Sequence, residues 1–466
     1  MASDTLTEYE RRRLENIRRN DEMMTSLMLS RKVSDLAATL KRASSDTKKK
    51  EDKKNKKPRL GTPVVVRRSL RHRGLPPNLS VPTDHPSDNA PPVDHLPTAP
   101  DYKPGPLLIG EALVEGLEPF DRHLIEAILN ASDRSGLDLA TGEKGEGSLD
   151  PKRDLMLRAE NVRKILDGRI LTVRFLPFGD RTVVVAGDKL GNVGFWDVDT
   201  EEGDGVYVYA PHSAPVSGIS IHPFSSAKIF TCSYDGYIRL MDIREGTFNM
   251  IYSSDSLVFS LCQSPNDVGS IYFGEGSGEL KLWDERAGKV SGTWDLHEQR
   301  INTIDFRPDN INMIATSSTD GTACIWDLRN LKKHQPDMLK TIHHQRAVHS
   351  AYFSPGGSCL ATTSIDDRVG ILGGANYDDL WMVRHDNQTG RWLSSFRAIW
   401  GWDDSHLFLG NMKRAVDVIS ADLRTTTALV SEHMTSIPCR FAAHPCKRGW
   451  LACATAGGKV FLWTKS

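Results

Sequence analysis

The hydrophobic pattern of the chain changes character near residue 162. From there on, short apolar runs alternate with turn residues, the pattern of β-strands rather than of helices. The runs fall into units. Each unit ends in a strand closed by an aromatic or apolar residue, often followed by Asp: GFWD (194–197), RLMD (239–242), KLWD (281–284) and CIWD (324–327). Degenerate copies are GIL (370–372), VDV (416–418) and FLW (461–463). The closing positions are Trp196, Met241, Trp283, Trp326, Leu372, Val418 and Trp463, spaced by 45, 42, 43, 46, 46 and 45 residues. A second repeat runs in step with the first: a strand ending in a Pro-containing turn, as in VRFLP (173–177), ISIHP (219–223), IDFRP (304–308), AYFSP (351–355) and FAAHP (441–445).

One such dipeptide would carry little weight, but seven units at this period predict an all-β, seven-bladed WD-repeat β-propeller over 162–466. The turns SYDG (233–236) and STDG (318–321) end the following strand. Their aspartates, Asp235 and Asp320, are expected to cap turn amides rather than to act as catalytic acids. His343 and His344 precede a blade, where many propellers hold a structural histidine.

Upstream, three segments are expected. Residues 1–40 form an N-terminal helical segment: Tyr9, Leu14, Ile17, Met24, Leu27, Met28 and Val33 give a rough helical stripe. That stripe would dock either on the chain's own body or on a partner. Residues 41–106 form a basic and Pro-rich disordered linker, too charged and too poor in apolar groups to offset its chain entropy. Residues 107–161 form a partly helical lead-in, with a candidate helix over Leu113–Asn130 and a loop over 142–154.

The formal net charge of −1 conceals an asymmetry. Residues 41–73 hold fourteen Lys or Arg against three Asp or Glu, a net +11 that leaves −12 for the rest. A basic arm beside an acidic body points to a polyanionic partner, nucleic acid above all. The run Lys48, Lys49, Lys50, Lys53, Lys54, Lys56 and Lys57 reads as a nuclear import signal, with a non-specific nucleic-acid arm or a solvated charge run as the other readings. No apolar stretch reaches the length of a membrane span, and the polar start MASDTLTEYERRR is not a secretory signal. The seven cysteines suit a reduced intracellular compartment, and Cys439, Cys446 and Cys453 match no zinc spacing, so no metal or other cofactor is expected. With no phosphate loop, nucleophile elbow or HExxH, the expectation is a binding protein, not an enzyme acting on a small molecule.

In a propeller, the loop inbound to the innermost strand and the turn between the second and third strands share one face. Four inbound loops place an arginine just before the inner strand: Arg169, Arg300, Arg346 and Arg391. Neighbouring turns add Lys189, Arg368, Lys413, Arg414 and Lys459. Arginine donates two parallel hydrogen bonds and suits phosphate, although any one of them could instead pair with a neighbouring aspartate. Gly390, Arg391 and Trp392 close an unusually long connection (376–392). Trp392 either stacks on a base or wedges into a base step, or packs at the end of a strand.

TEYERRRLENIRRNDEMMTSLML (7–29), SYDGYIRLMD (233–242) and HDNQTGRWLSSFRAIW (385–400) resemble the family of WD repeat-containing protein 76 and the fungal damage-binding WD protein, itself related to DNA damage-binding protein 2. The resemblance implies action in the nucleus on damaged or modified duplex DNA. It implies DNA contact by Gly390, Arg391 and Trp392, which stand where the relative carries a wedging hairpin, here with Gly and Arg in place of a leading aromatic. Arg169 and Arg300 align with basic loop residues of that relative. The stretch IATSSTDGTACIWDLR (314–329), ending on Asp327 and Arg329, resembles the box by which substrate receptors recruit damage-binding protein 1 and a cullin-4 ubiquitin ligase. Ordinary blades end similarly, as in RLMDIR (239–244), and the alternative reading is that Arg329 braces its own blade. The alternative to DNA readout is therefore a protein-interaction scaffold or ligase substrate receptor.

Overall fold

The computed structural model describes Arg18 and residues 105–115, 117–120, 122–134, 149–201, 203–267, 269–332 and 336–466. The helix expected within 1–40, the linker up to residue 104 and the lysine run Lys48–Lys57 lie outside the described residues.

Seven four-stranded antiparallel units make up the body. Blade 1 holds Ile170–Phe175, Val183–Asp188, Val193–Asp197 and Val206–Tyr209. Blades 2 to 6 repeat the meander, opening on the inner strands Val216–Ile221, Val258–Gln263, Ile301–Arg307, Val348–Phe353 and the short Ile399–Trp400. Blade 7 takes three strands from the C-terminus, beginning at Pro438–Ala443, and its fourth from upstream, Leu155–Lys164, which pairs antiparallel with Lys459–Lys465. The inner strand of blade 7 packs on that of blade 1 and so closes the ring. This closure joins the two ends of the propeller through a hydrogen-bond ladder. The closing strand begins at Leu155, seven residues before the start expected from the repeat, because it completes the last unit rather than opening the first.

The closing positions fill the spaces between blades. Trp196, Met241, Trp326, Leu372, Val418 and Trp463 are buried, and only Trp283 is part-exposed. Strands covered on both faces by neighbouring sheets read as continuous apolar runs, which is why VVVAGD and LATTS show no alternation.

The lead-in is partly ordered on this body. Leu107–Leu108 adds a fifth strand to blade 2 by pairing with Phe248 and Thr247. A buried guanidinium, Arg239, donates to Gly105 O at 2.6 Å. A helix spans Arg122–Arg134, starting later than the candidate Leu113–Asn130 because Leu113 is held as a β-bridge to Tyr209. Phe120, Leu124 and Ile128 lie one helical turn apart, are buried, and join the core between blades 1 and 2. Phe120 makes edge-on contacts with Phe195, Tyr207 and Tyr209 at 4.8, 5.3 and 5.0 Å, and its N–H donates to the Tyr209 hydroxyl.

Candidate nucleic-acid interface

In blades 1, 2, 4 and 5, backbone hydrogen bonds tie the inbound loop to the turn between the second and third strands. Lys189 N donates to Arg169 O, Tyr234 N to Pro215 O, Thr319 N to Arg300 O, and Ile365 N to Ala347 O. The turns also nest against the next blade's inbound loop. A Cβ on Gly236 (φ +85°) would stand 2.0 Å from Ser254 O, and one on Gly458 (φ +76°) would stand 1.7 Å from Leu166 O. Both sets of loops therefore form one face, and the residues at these positions are fixed relative to one another.

Three histidine–aspartate pairs hold this face. His212, His297 and His344 reach Asp235, Asp320 and Asp366 through Nδ1 at 2.9, 2.9 and 3.1 Å. Through Nε2 they reach Thr231, Thr316 and Thr362. Trp326 Nε1 donates to Thr316, carrying the network into the blade core. Burial alone would raise the carboxyls of Asp235, Asp320 and Asp366. The hydrogen bonds from histidines and turn groups outweigh it and hold all three below the ordinary range. These aspartates are spent on structure. His343, the other histidine noted before blade 5, is exposed.

The cations on the face differ in state. Lys189, Arg346, Arg368, Arg391, Lys413 and Arg414 are exposed, and the structure gives their charged groups no ion pair among the described residues. Lys459 is half-buried. Arg300 lies with its guanidinium 4.8 Å from the Phe259 ring centre. Arg169 is committed elsewhere: its Nη1 donates to Arg391 O at 3.0 Å and Leu393 O at 3.2 Å. It positions the blade 6 loop instead of standing free. Exposed carboxylates interrupt the face at Asp167, Asp255, Glu298, Asp386 and Glu432. Asp167 pairs with Lys164. The surface is thus mixed with a cationic excess, where the repeat pattern of arginines suggested an unbroken ring.

The blade 6 loop is clamped at its stem and open at its tip. His385 bridges Asn387 Oδ1 and Asp417 Oδ2 at 2.8 and 3.0 Å. Asn387 Nδ2 donates to Ser364 O and Arg368 O. Gln388 donates to Asp367, and Ser394 Oγ to Ile170 O across the channel. Between these anchors Gly390 takes a positive φ of 66° with open space around it. Trp392 follows, 88% exposed. The reading of Trp392 as strand-end packing does not fit this geometry: an indole in water, on a braced loop, beside Arg391.

Asp327 and Arg329 lie where the third strand of blade 4 ends, at the opposite end of that strand from the turn containing Asp320. Arg329 grips Asp327 bidentately, Nε to Oδ1 at 3.0 Å and Nη2 to Oδ2 at 2.7 Å, while its side chain stays largely exposed. The hydrogen bond between them raises Arg329 and lowers Asp327.

A group of residues that the repeat pattern did not single out lines the channel. Arg397 and Arg440 project there from blades 6 and 7, together with Arg174, Asn302, Thr303 and Tyr352. Arg440 Nε donates to Leu171 O at 2.6 Å, and its Nη1 donates to Ser395 O and to Cys439 O. Arg397 Nη2 donates to Asn302 O. The available signal was an arginine inside an otherwise apolar strand, as in PCRFAA (438–443).

The model of the WD domain, G-beta repeat family matches residues 203–242, 288–327 and 337–371. WD repeat-containing protein 76 of Xenopus laevis is 31% identical over 98% of this chain and 80% of its own length. The protein of the same name in Mus musculus is 29% identical over 98% of this chain and 74% of its own length. DNA damage-binding protein cmr1 of Aspergillus clavatus is 28% identical over 99% of both chains.

Proposed function

The chain belongs to the family of WD repeat-containing protein 76, and on that premise we propose that it is a non-enzymatic nuclear protein that binds duplex DNA, preferring damaged or modified DNA. The name of the fungal relative, DNA damage-binding protein, supports the DNA-damage setting. One observation carries the reading of the site. A fully presented indole and a free guanidinium share the tip of a loop whose stem is tied to blades 5, 6 and 1. A rigid stem holds the tip in place before contact, so little ordering entropy is lost on binding. A flat aromatic beside a cation stacks on an exposed base or wedges at a weakened step, and damage lowers the cost of unstacking. Lys189, Arg346, Lys413 and Arg414 would supply phosphate contacts around that tip, Arg300 a more shielded one, and Arg169 would hold the loop.

The test is a titration of ultraviolet-irradiated and undamaged duplex with Trp392→Ala. Base stacking of about 1–3 kcal/mol per base predicts an affinity loss of about 5- to 150-fold on irradiated duplex and a smaller loss on undamaged duplex. Equal losses on both would remove the damage preference from this residue.

A second reading rests on the Asp327–Arg329 pair. It stands on the face opposite the inbound loops and presents a guanidinium already oriented by its own aspartate. That arrangement supports a substrate receptor for a cullin-4 ligase recruited through damage-binding protein 1, compatible with DNA on the other face. Pull-down with purified damage-binding protein 1 should fall with Arg329→Ala and survive Arg391→Glu.

A further inference from the structure

The channel behind the face holds cations that DNA contact does not explain. Arg440 is only 8% exposed, and its Nε and Nη1 are spent on the carbonyls of Leu171, Ser395 and Cys439. Its Nη2 takes part in none of these bonds. Arg397 uses Nη2 on Asn302 O, while its Nε is buried with no partner. Arg300 Nε and His349 Nε2, which border the same group, are also buried without partners. The charged groups that bear on His349 are Arg397, Arg440 and Arg300. The charged group that bears on Arg440 is Arg397.

The electrostatic consequences agree. Burial first, then Arg397, pushes the Arg440 guanidinium down to about 9. Burial, then Arg397, Arg440 and Arg300, pushes His349 down to about 3. No carboxylate appears among the described residues lining this channel. Asp305, outside this lining, is the acid set against Arg174. Buried charges are ordinarily paired, because an uncompensated one carries the full desolvation cost. Here the backbone carbonyls supply hydrogen-bond acceptors but no net negative charge. A bound anion would supply both.

The dimensions favour a small anion. The cavity in the channel is small, about 40 Å³, room for a few waters or a single phosphate group and far too little for a duplex. Two guanidiniums at one cavity, with Asn302, Thr303 and Tyr352 in its wall, match the charge of about −1.5 to −2 on a phosphate group better than the single charge of a carboxylate. We propose that Arg397 and Arg440, with Arg300 nearby, form a binding site for a compact free phosphate-bearing anion, such as inorganic phosphate or a small phosphate monoester, inside the channel. The site does not depend on DNA contact by the face. It gives the molecule a ligand class beyond nucleic acid, and occupancy would brace the inner strands of blades 4, 6, 7 and 1.

The probe is inorganic phosphate on the full chain, read by thermal unfolding and by isothermal titration, with sodium chloride at matched ionic strength as the control. A ligand held at a hundredfold excess over its Kd should raise the unfolding midpoint by about 3 °C or more, with one phosphate per chain. Arg397→Gln should abolish the shift. The exposed double variant Arg346→Gln with Lys413→Gln should keep it in full, and that arm stands even if Arg397→Gln does not fold. A 20-base-pair duplex should leave the phosphate stoichiometry unchanged. The proposal is overturned if chloride reproduces the shift, if Arg397→Gln retains it, or if the exposed double variant or the duplex removes it. The last result would assign the phosphate to the DNA-facing surface instead.

Discussion

Two sets of cations occupy neighbouring regions of this propeller under opposite physical conditions. At the rim, Lys189, Arg346, Arg391, Lys413 and Arg414 stand in water. In the channel, Arg397 and Arg440 are tied to the carbonyls of inner strands, and Arg440 is almost wholly buried. Rim charges cost the fold almost nothing and are screened by salt. They are available to a ligand and give it long-range, salt-dependent attraction. Channel charges are part of the ring's own bonding and are desolvated whether or not a ligand is present. The same residue type thus stands open to solvent in one place and is bound into the ring in the other.

The largest expected effect falls in the channel. Arg440→Gln leaves the carbonyls of Leu171 and Ser395 without their donor, and unsatisfied buried groups cost about 1–3 kcal/mol each. Relief of repulsion with Arg397 offsets part of this, so a net loss of about 2 kcal/mol is expected in urea unfolding. An unchanged or raised midpoint would break the claim that channel arginines hold the ring. Next in size is the tip of the blade 6 loop. Arg391→Glu with Trp392→Ala should leave the unfolding midpoint within about 0.5 kcal/mol of the parent, as for other exposed positions. The same double variant should lower affinity for irradiated duplex by at least tenfold, which anisotropy would read.

The pH dependence sharpens the comparison further. His349 in the channel and His444 beneath blade 7 are each pushed down to about 3, chiefly by burial. Between pH 3 and 6.5 the unfolded chain therefore binds more protons at these sites, so they make stability rise with pH across that window. Asp305, raised to about 7 by burial, acts oppositely: the folded state holds its proton from about pH 4 to 7, and stability falls as pH rises. Replacing it by Asn should steepen the pH 4–6.5 slope by about one proton, read from unfolding midpoints at half-unit steps. A flatter slope would contradict the burial assigned to Asp305. The smallest effect belongs to the rim. Arg346→Gln should shift stability by less than about 0.5 kcal/mol and reduce the log–log salt slope of DNA binding by about one unit, if it touches one phosphate.

The propeller was legible in the sequence because its repeat places one kind of residue at one kind of position. Trp196, Trp326 and Trp463 close equivalent strands and are buried in equivalent places. The closing strand at Leu155 was not, since LMLRAENVRK carries charged residues on an outer strand and repeats no unit motif. The lead-in helix was half legible. Phe120, Leu124 and Ile128 form a clear stripe, but the bridge from Leu113 to Tyr209 is a tertiary event that local pattern does not encode. At the face, residue type indicated which positions carry charge, but not their state. Arg169 and Arg391 look alike in sequence, yet one is bound to the loop on which the other is free. Arg440 escaped notice because a propensity reading has no reason to place charge inside an apolar strand, and Arg397 because it lies in an irregular segment before Ile399–Trp400; only the assembled ring supplies acceptors to both.

The central claim, that the tip of the blade 6 loop reads damage on DNA, is tested most directly by fluorescence anisotropy of the full chain and its Arg391→Glu with Trp392→Ala variant. Both are titrated with irradiated and undamaged duplex across a range of salt. The parent should favour irradiated duplex. The variant should lose this preference while retaining weaker, salt-sensitive binding to both. Full retention of the preference by the variant, or its absence from the parent, would contradict the account and leave the propeller as a platform for protein partners.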